Sequence, residues 1–211
     1  LTAERFARCV VKKHHDMAVD FVIQRPDPEE DPRALSVLDP GCLELEGSLS
    51  MPMLVARAAL AEVLIKQDFP NDNISDFSAV APLIRPPVKQ PPTLDKRGRT
   101  LKPKQLKAVQ EAYQMTQAFA ELDAIAECVV RAEANGVRAV LASKIVSEDE
   151  RNTLHLLSPV INRCAIGKPQ YTYLREPLRG ALAVAYYELL MASKGRTRKV
   201  AWHFRVQVTN A

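Results

Sequence analysis

"ECVVRAEANGVRAVL", residues 127–141, decides the fold, because its opening echoes "RCVVKKHHDMAVDFV", residues 8–22, at a distance of 119 residues. Similarity at a fixed offset determines architecture before any local assignment does. Two gapless blocks align. Residues 6–24 lie over residues 125–143, matching Ala7, Cys9, Val10 and Val11 with Ala126, Cys128, Val129 and Val130. Residues 42–64 lie over residues 164–186, matching Cys42 with Cys164 and "RAALAE" (57–62) with "RGALAV" (179–184). Nine of the 42 aligned positions are identical, a score that two Ala-rich amphipathic helices can also reach by coincidence. What argues for a duplicated helical unit is that all four cysteines fall at equivalent places and none is left over.

Four cysteines permit three connectivities. Pairing within each unit, Cys9 with Cys42 and Cys128 with Cys164, is the one that respects the duplication. Closing the two loops would each lower unfolded-chain entropy by about 3 to 4 kcal/mol. The alternative is four reduced cysteines packed as small hydrophobes in a cytosolic core. No C-x-x-C and no nearby histidine pair supplies the spacing of a metal site, so no metal or other cofactor is expected.

Composition agrees with helices. In 211 residues, 47% are hydrophobic, 6% aromatic, and 7 Gly stand against 15 Pro. That is a chain able to bury a core, with Pro-rich connections rather than many short strands. The fold class expected is mainly α: tandem duplicated three-helix units, each with one disulfide, plus a short C-terminal β-strand. The longest apolar run, "LRGALAVAYYELLMA" (178–192), is shorter than the roughly 20 residues that span a bilayer and contains Arg179 and Glu188. It reads as a buried helix, and no membrane span is expected.

The first unit, residues 1–68, begins with a helix capped by Thr2 and running to Gln24, with Phe6, Val10, Met17 and Phe21 on its core face. Asp31 and Pro32 start a short helix through Leu38. A third runs from about Ser50 to Gln67, with Leu60, Val63 and Leu64 inward. Residues 69–104 form a Pro-rich basic linker or strap. The second unit, residues 105–193, has an extra leading helix over residues 103–123, with Leu106, Val109, Tyr113 and Phe119 as its buried stripe. Asn135 and Gly136 interrupt the next helix, Ser147 and Glu150 have capping-box spacing, and Pro159 ends the short helix that they open. The last helix covers about residues 173–193.

Residues 194–211 form a basic tail of another kind. In "KVAWHFRVQV" (199–208) Val200, Trp202, Phe204, Val206 and Val208 alternate with other residues, and period two means strand. It either pairs internally, with "FSAVAPLI" (77–84), or adds to a partner protein's sheet edge, where Trp202 and Phe204 would fill pockets. Arg198, Lys199 and Val206 complete the candidate binding set. Lys194, Arg196, Arg198, Lys199 and Arg205 face no acid, and the strap from Arg85 to Lys107 holds eight cations against Asp95 alone, while the whole chain nets only +4. Charge separated this way favours an anionic envelope surface, nucleic acid or an acidic protein, although solvated flexible segments carry the same charges.

No G-x-G-x-x-G, P-loop, H-E-x-x-H, G-x-S-x-G or EF-hand loop is present, so no catalytic residue is assigned. His14, His15 and Asp16 adjoin on a helix, where neighbours point about 100° apart and do not converge on one ion. They read as solvated surface. Arg57 and Arg179 occupy equivalent places, and each is expected to cap carbonyls or pair with an acid inside its own unit.

At the paired "CVV" and "RAALAE"/"RGALAV" stretches the chain resembles uncharacterised exported helical repeat proteins of Gram-negative bacteria, in which an "ECVVR" helix and a "LRGALY" helix recur with two cysteines per repeat. The resemblance covers most of residues 6–64 and 125–186. It implies export to the periplasm or the cell exterior and one disulfide per unit, and it implies no activity. The expected function is a non-enzymatic envelope interaction or structural protein that binds a protein partner or an anionic surface. The alternatives are a cytoplasmic nucleic-acid-binding protein using its tail, with Trp202 and Phe204 stacked on bases, and a hydrolase with a site between the units near His14 or Arg179.

Overall fold

A helix that is apolar on every side is stable only when surrounded. Such a helix is α6, Arg175–Ser193, in which every residue from Leu178 to Met191 is buried in the computed structural model. The structure describes residues 3–24, 39–42, 53–85, 87–95, 98–167 and 175–196. Their other helices are α1 (Ala3–Gln24), α2 (Met53–Asp68), α3 (Pro103–Ala132), α4 (Ala134–Ala142) and α5 (Glu148–Cys164), with a 3-10 turn at Pro40–Cys42. α2 packs on α1 and α6, α3 on α6 and α5, and α4 on α5 and α6. One core runs through both halves, from Phe6 and Val10 through Leu60 and Leu64 to Leu182 and Leu190. Each such side chain contributes about 1.5–3 kcal/mol.

The crossing of α2 and α6 is tight. A Cβ on Gly180 would lie 2.7 Å from the Cβ of Ala58, so only glycine lets the two backbones come this close. Ala58 and Gly180 are equivalent positions in the alignment of the two halves.

Both long helices break at a second pair of equivalent positions. His14 inside α1 has φ −137° and ψ 47°, and Glu133 between α3 and α4 has φ −150° and ψ 59°. The break shifts the buried face. Beyond His14 the core residues are Ala18, Val19, Phe21 and Val22, and Met17, expected inside, is 37% exposed. In the second half the break precedes Asn135 and Gly136, which lie within α4 instead of ending a helix. Gly136 serves close packing: a Cβ there would meet Leu157 at 2.6 Å.

Three further expectations are corrected. Residues 103–123 and the "ECVVR" segment form one continuous 30-residue helix, α3. The proposed stripe of that helix is not core, since Leu106 is 43% exposed and Val109, Tyr113 and Phe119 are only half-buried. Leu106, Val109 and Tyr113 point away from the face carrying Leu122, Ile125, Ala126 and Val129, which is buried, and only Phe119 of the stripe lies on that side. Pro159 sits inside α5 and does not end it. Its ring and the preceding turn at His155 are on the solvent side, where the freed carbonyl can be hydrated, while Leu154 and Leu157 hold the helix to the core.

The segment after α2 is a strap fixed by side chains. Arg131 donates to the carbonyls of Phe77, Val80 and Ala81, and the backbone N–H of Leu83 donates to Glu127. Phe77 is fully buried, edge-on to Tyr186 at 5.7 Å. Residues 77–84 form turns and irregular backbone, with the carbonyls of Phe77, Val80 and Ala81 taken by a guanidinium. Among the described residues the only bridge pairing is an isolated one between Leu94 and Thr100. The tail strand and the short helix at residues 32–38 lie outside the described residues.

Candidate functional site

The four cysteines form two disulfides, Cys9–Cys42 and Cys128–Cys164, with Cα–Cα distances of 5.5 and 5.8 Å. One ties α1 to the turn that precedes α2, and the other ties α3 to the end of α5. No thiol is left as a nucleophile.

Between α2 and α6 the two singled-out arginines form a buried reciprocal lattice. Arg57 donates to the carbonyl of Val22 and to Glu188 of α6, at 2.8 Å for the acid. Arg179 donates to both oxygens of Glu62 on α2, at 2.7 and 3.0 Å. It also reaches Glu150 and the carbonyls of Val140, Leu141 and Ser143, which occupies all three guanidinium nitrogens. Burial works against the charge of Arg179, but Glu62 and then Glu150 outweigh it and hold the pKa above the ordinary arginine value. Each arginine does cap carbonyls of its own half, as expected, but its acid is supplied across the halves as well as within: Glu188 for Arg57, Glu62 for Arg179. Both side chains are structural fixtures here, and Arg179 presents no spare donor to a substrate.

Glu150 joins this lattice from α5. Ser147 Oγ caps the helix by accepting from the Glu150 N–H, as the capping-box spacing indicated. The Glu150 carboxylate, 1% exposed, accepts from the N–H of Val146 and from Arg179, and forms an ion pair with Arg175 at 3.3 Å. Arg85 of the strap is likewise drawn inward, to Glu127 and Glu188, so one of the strap's cations is spent inside the fold.

The chemically most varied group sits in a small open cleft lined by His15, Asp16, Val19, Asp68, Tyr187, Met191 and Arg196. His15 Nε2 lies 2.7 Å from Asp68 Oδ1, and the Tyr187 hydroxyl donates to Asp68 Oδ2 at 2.8 Å. Three helices meet through one carboxylate. Partial burial opposes protonation of His15, but the bonds and charges of Asp68 and then Asp16 prevail and raise its pKa above the usual histidine value. His14 meets a different acid, Asp39, at 3.2 Å. The backbone N–H of Gly41 and then His14 hold Asp39 below the usual carboxylate range. The kink is what lets neighbouring histidines serve separate acids, so they are tied to carboxylates rather than merely solvated. Among the described residues no serine, threonine or cysteine lines the cleft, and the His15 ring has a carboxylate at each nitrogen, Asp16 standing 3.5 Å from Nδ1. That arrangement favours a charged, immobilised imidazolium over a general base.

Sequence reading did not find this trio, because its members stand 53 and 119 residues apart in hydrogen-bonded pairs and share no motif. The candidate partner-binding residues Arg198, Lys199, Trp202, Phe204 and Val206 lie outside the described residues. No described helix is long and apolar enough to cross a membrane. The chain matches no protein-family model, no curated protein and no solved structure.

Proposed function

We propose that the protein is a non-enzymatic protein of an oxidising cell-envelope compartment. It is two fused copies of one disulfide-pinned helical unit, and its basic strap and tail bind a protein partner or an anionic surface. The observation that carries this reading is the pairing of all four cysteines within the halves, since stable structural disulfides belong to oxidising compartments. Duplication is supported by the matched breaks at His14 and Glu133 and by the matched carbonyls, Val22 for Arg57 and Leu141 for Arg179. It is supported again by the close approach of Ala58 and Gly180, which hold equivalent places in the two halves, as a two-fold arrangement of the halves would bring them together. Lys102, Lys104 and Lys107 remain exposed at the strap's end, ready for an anion.

Alkylation of the protein taken directly from its native cells, followed by intact mass measurement, tests the compartment: no modified cysteine is expected, and four modified cysteines would reject it. Flotation with anionic vesicles tests the binding segment. Binding that falls with salt and is lost on deleting residues 197–211 is expected; binding unchanged by the deletion removes the tail from the proposal.

A further inference from the structure

The long helix α3 outruns the body that it packs against. Its buried positions Leu122, Ala126 and Val129 belong to a seam with alternating spacings of three and four, which continues toward the N-terminus as Phe119, Met115, Ala112 and Ala108. There the cover stops: Phe119 is half-buried, Met115 is 59% exposed, and Ala112 and Ala108 are exposed. A 3-4 repeat is the spacing of helix-to-helix docking, and alanines on it allow close approach of the axes. An overhanging segment of about four turns gains little from helix propensity alone and is stabilised by packing.

We propose that the protein self-associates through this overhang, two copies docking antiparallel along Ala108, Ala112, Met115 and Phe119. Charge selects a second copy as the occupant. Lys102, Lys104 and Lys107 stand at the start of the helix, and beyond them Glu111 and Glu121 follow with no cation before Arg131, Glu127 being taken up by Arg85 and Arg131. Antiparallel pairing sets the basic end of one copy over the acidic stretch of the other, in both directions at once, whereas parallel pairing would set like on like. The same operation gives a closed two-fold dimer. The seam is also continuous with the face by which α3 packs on α5 and α6, so the partner helix extends an apolar contact already present. Four seam residues per copy make a patch below the ~1,200 Å² at which stable complexes begin, so a weak, reversible dimer is expected. The inference does not depend on the compartment or on the tail.

Sedimentation equilibrium of the oxidised full chain, over concentrations bracketing the micromolar range, tests it. A monomer–dimer equilibrium weakened by salt is expected. Met115→Lys should raise the dissociation constant at least about tenfold, and Gln110→Lys, the same charge change on the opposite exposed face, should leave it unchanged. A monomer at every concentration overturns the proposal, as does a dimer indifferent to Met115→Lys or weakened equally by Gln110→Lys. Circular dichroism of both variants, whose substituted residues are exposed, confirms that the fold is intact.

Discussion

At Arg179 a single side chain holds together four parts of the chain: α2 through Glu62, α5 through Glu150, and the end of α4 and the turn after it through backbone carbonyls. Removing it leaves Glu62 without its cation and Glu150 with Arg175 alone. Arg179→Leu is expected to lose about 3–5 kcal/mol in denaturant unfolding, far more than a surface arginine. His15 gives the pH dependence its sign. Its folded pKa is raised, so the contribution is full below the unfolded value and disappears as pH rises through the folded one. The groups facing it are Asp16, Asp68, Tyr187 and Arg196. Thermal unfolding across mildly acidic to mildly alkaline pH should show a decline in stability through that window, and His15→Gln should flatten it.

Among the elements, the disulfides act as matched staples. They close loops of 33 and 36 residues, so the chain-entropy contribution of each is about 3–4 kcal/mol. The paired variants Cys9→Ala/Cys42→Ala and Cys128→Ala/Cys164→Ala should therefore show similar falls in denaturant midpoint, and a large inequality would mean that one bridge constrains only locally. Most helices were legible in the sequence. α2 and α6 begin and end within three residues of the spans predicted from caps and apolar runs. What failed were inferences from single residues. Pro159 reads as a stop, yet a solvent-facing carbonyl and two buried leucines let α5 continue. The Leu106, Val109 and Tyr113 spacing reads as core, yet periodicity shows that a stripe exists and not which element faces it. The break at Glu133 was assigned two residues late, because Asn and Gly are the usual breakers and nothing in the residue type marks the true position.

For the whole molecule, the sequence carried the helical class and the cysteine pairing but not the way distant helices meet. The arginine lattice and the His15, Asp68 and Tyr187 group each draw on helices far apart in the chain, and no local pattern encodes such contacts. The contact of Ala58 with Gly180 yields the prediction at this scale. Helix propensity alone would favour Gly180→Ala by about 1 kcal/mol, but the added methyl meets Ala58, so the substitution should destabilise by about 1–3 kcal/mol. The exchange Ala58→Gly/Gly180→Ala should recover most of that loss, measured as a double-mutant cycle in chemical denaturation.

The reciprocal arginines also set an order of events during synthesis. Arg57 finds its acid at Glu188, and the outer flank of α2 is covered by α6, the final described helix. α2 thus leaves the ribosome with the flank that α6 covers still bare. That flank waits for α6 to be made. The core around α2 is accordingly completed only when α6 arrives, the step at which Arg57 also gains Glu188.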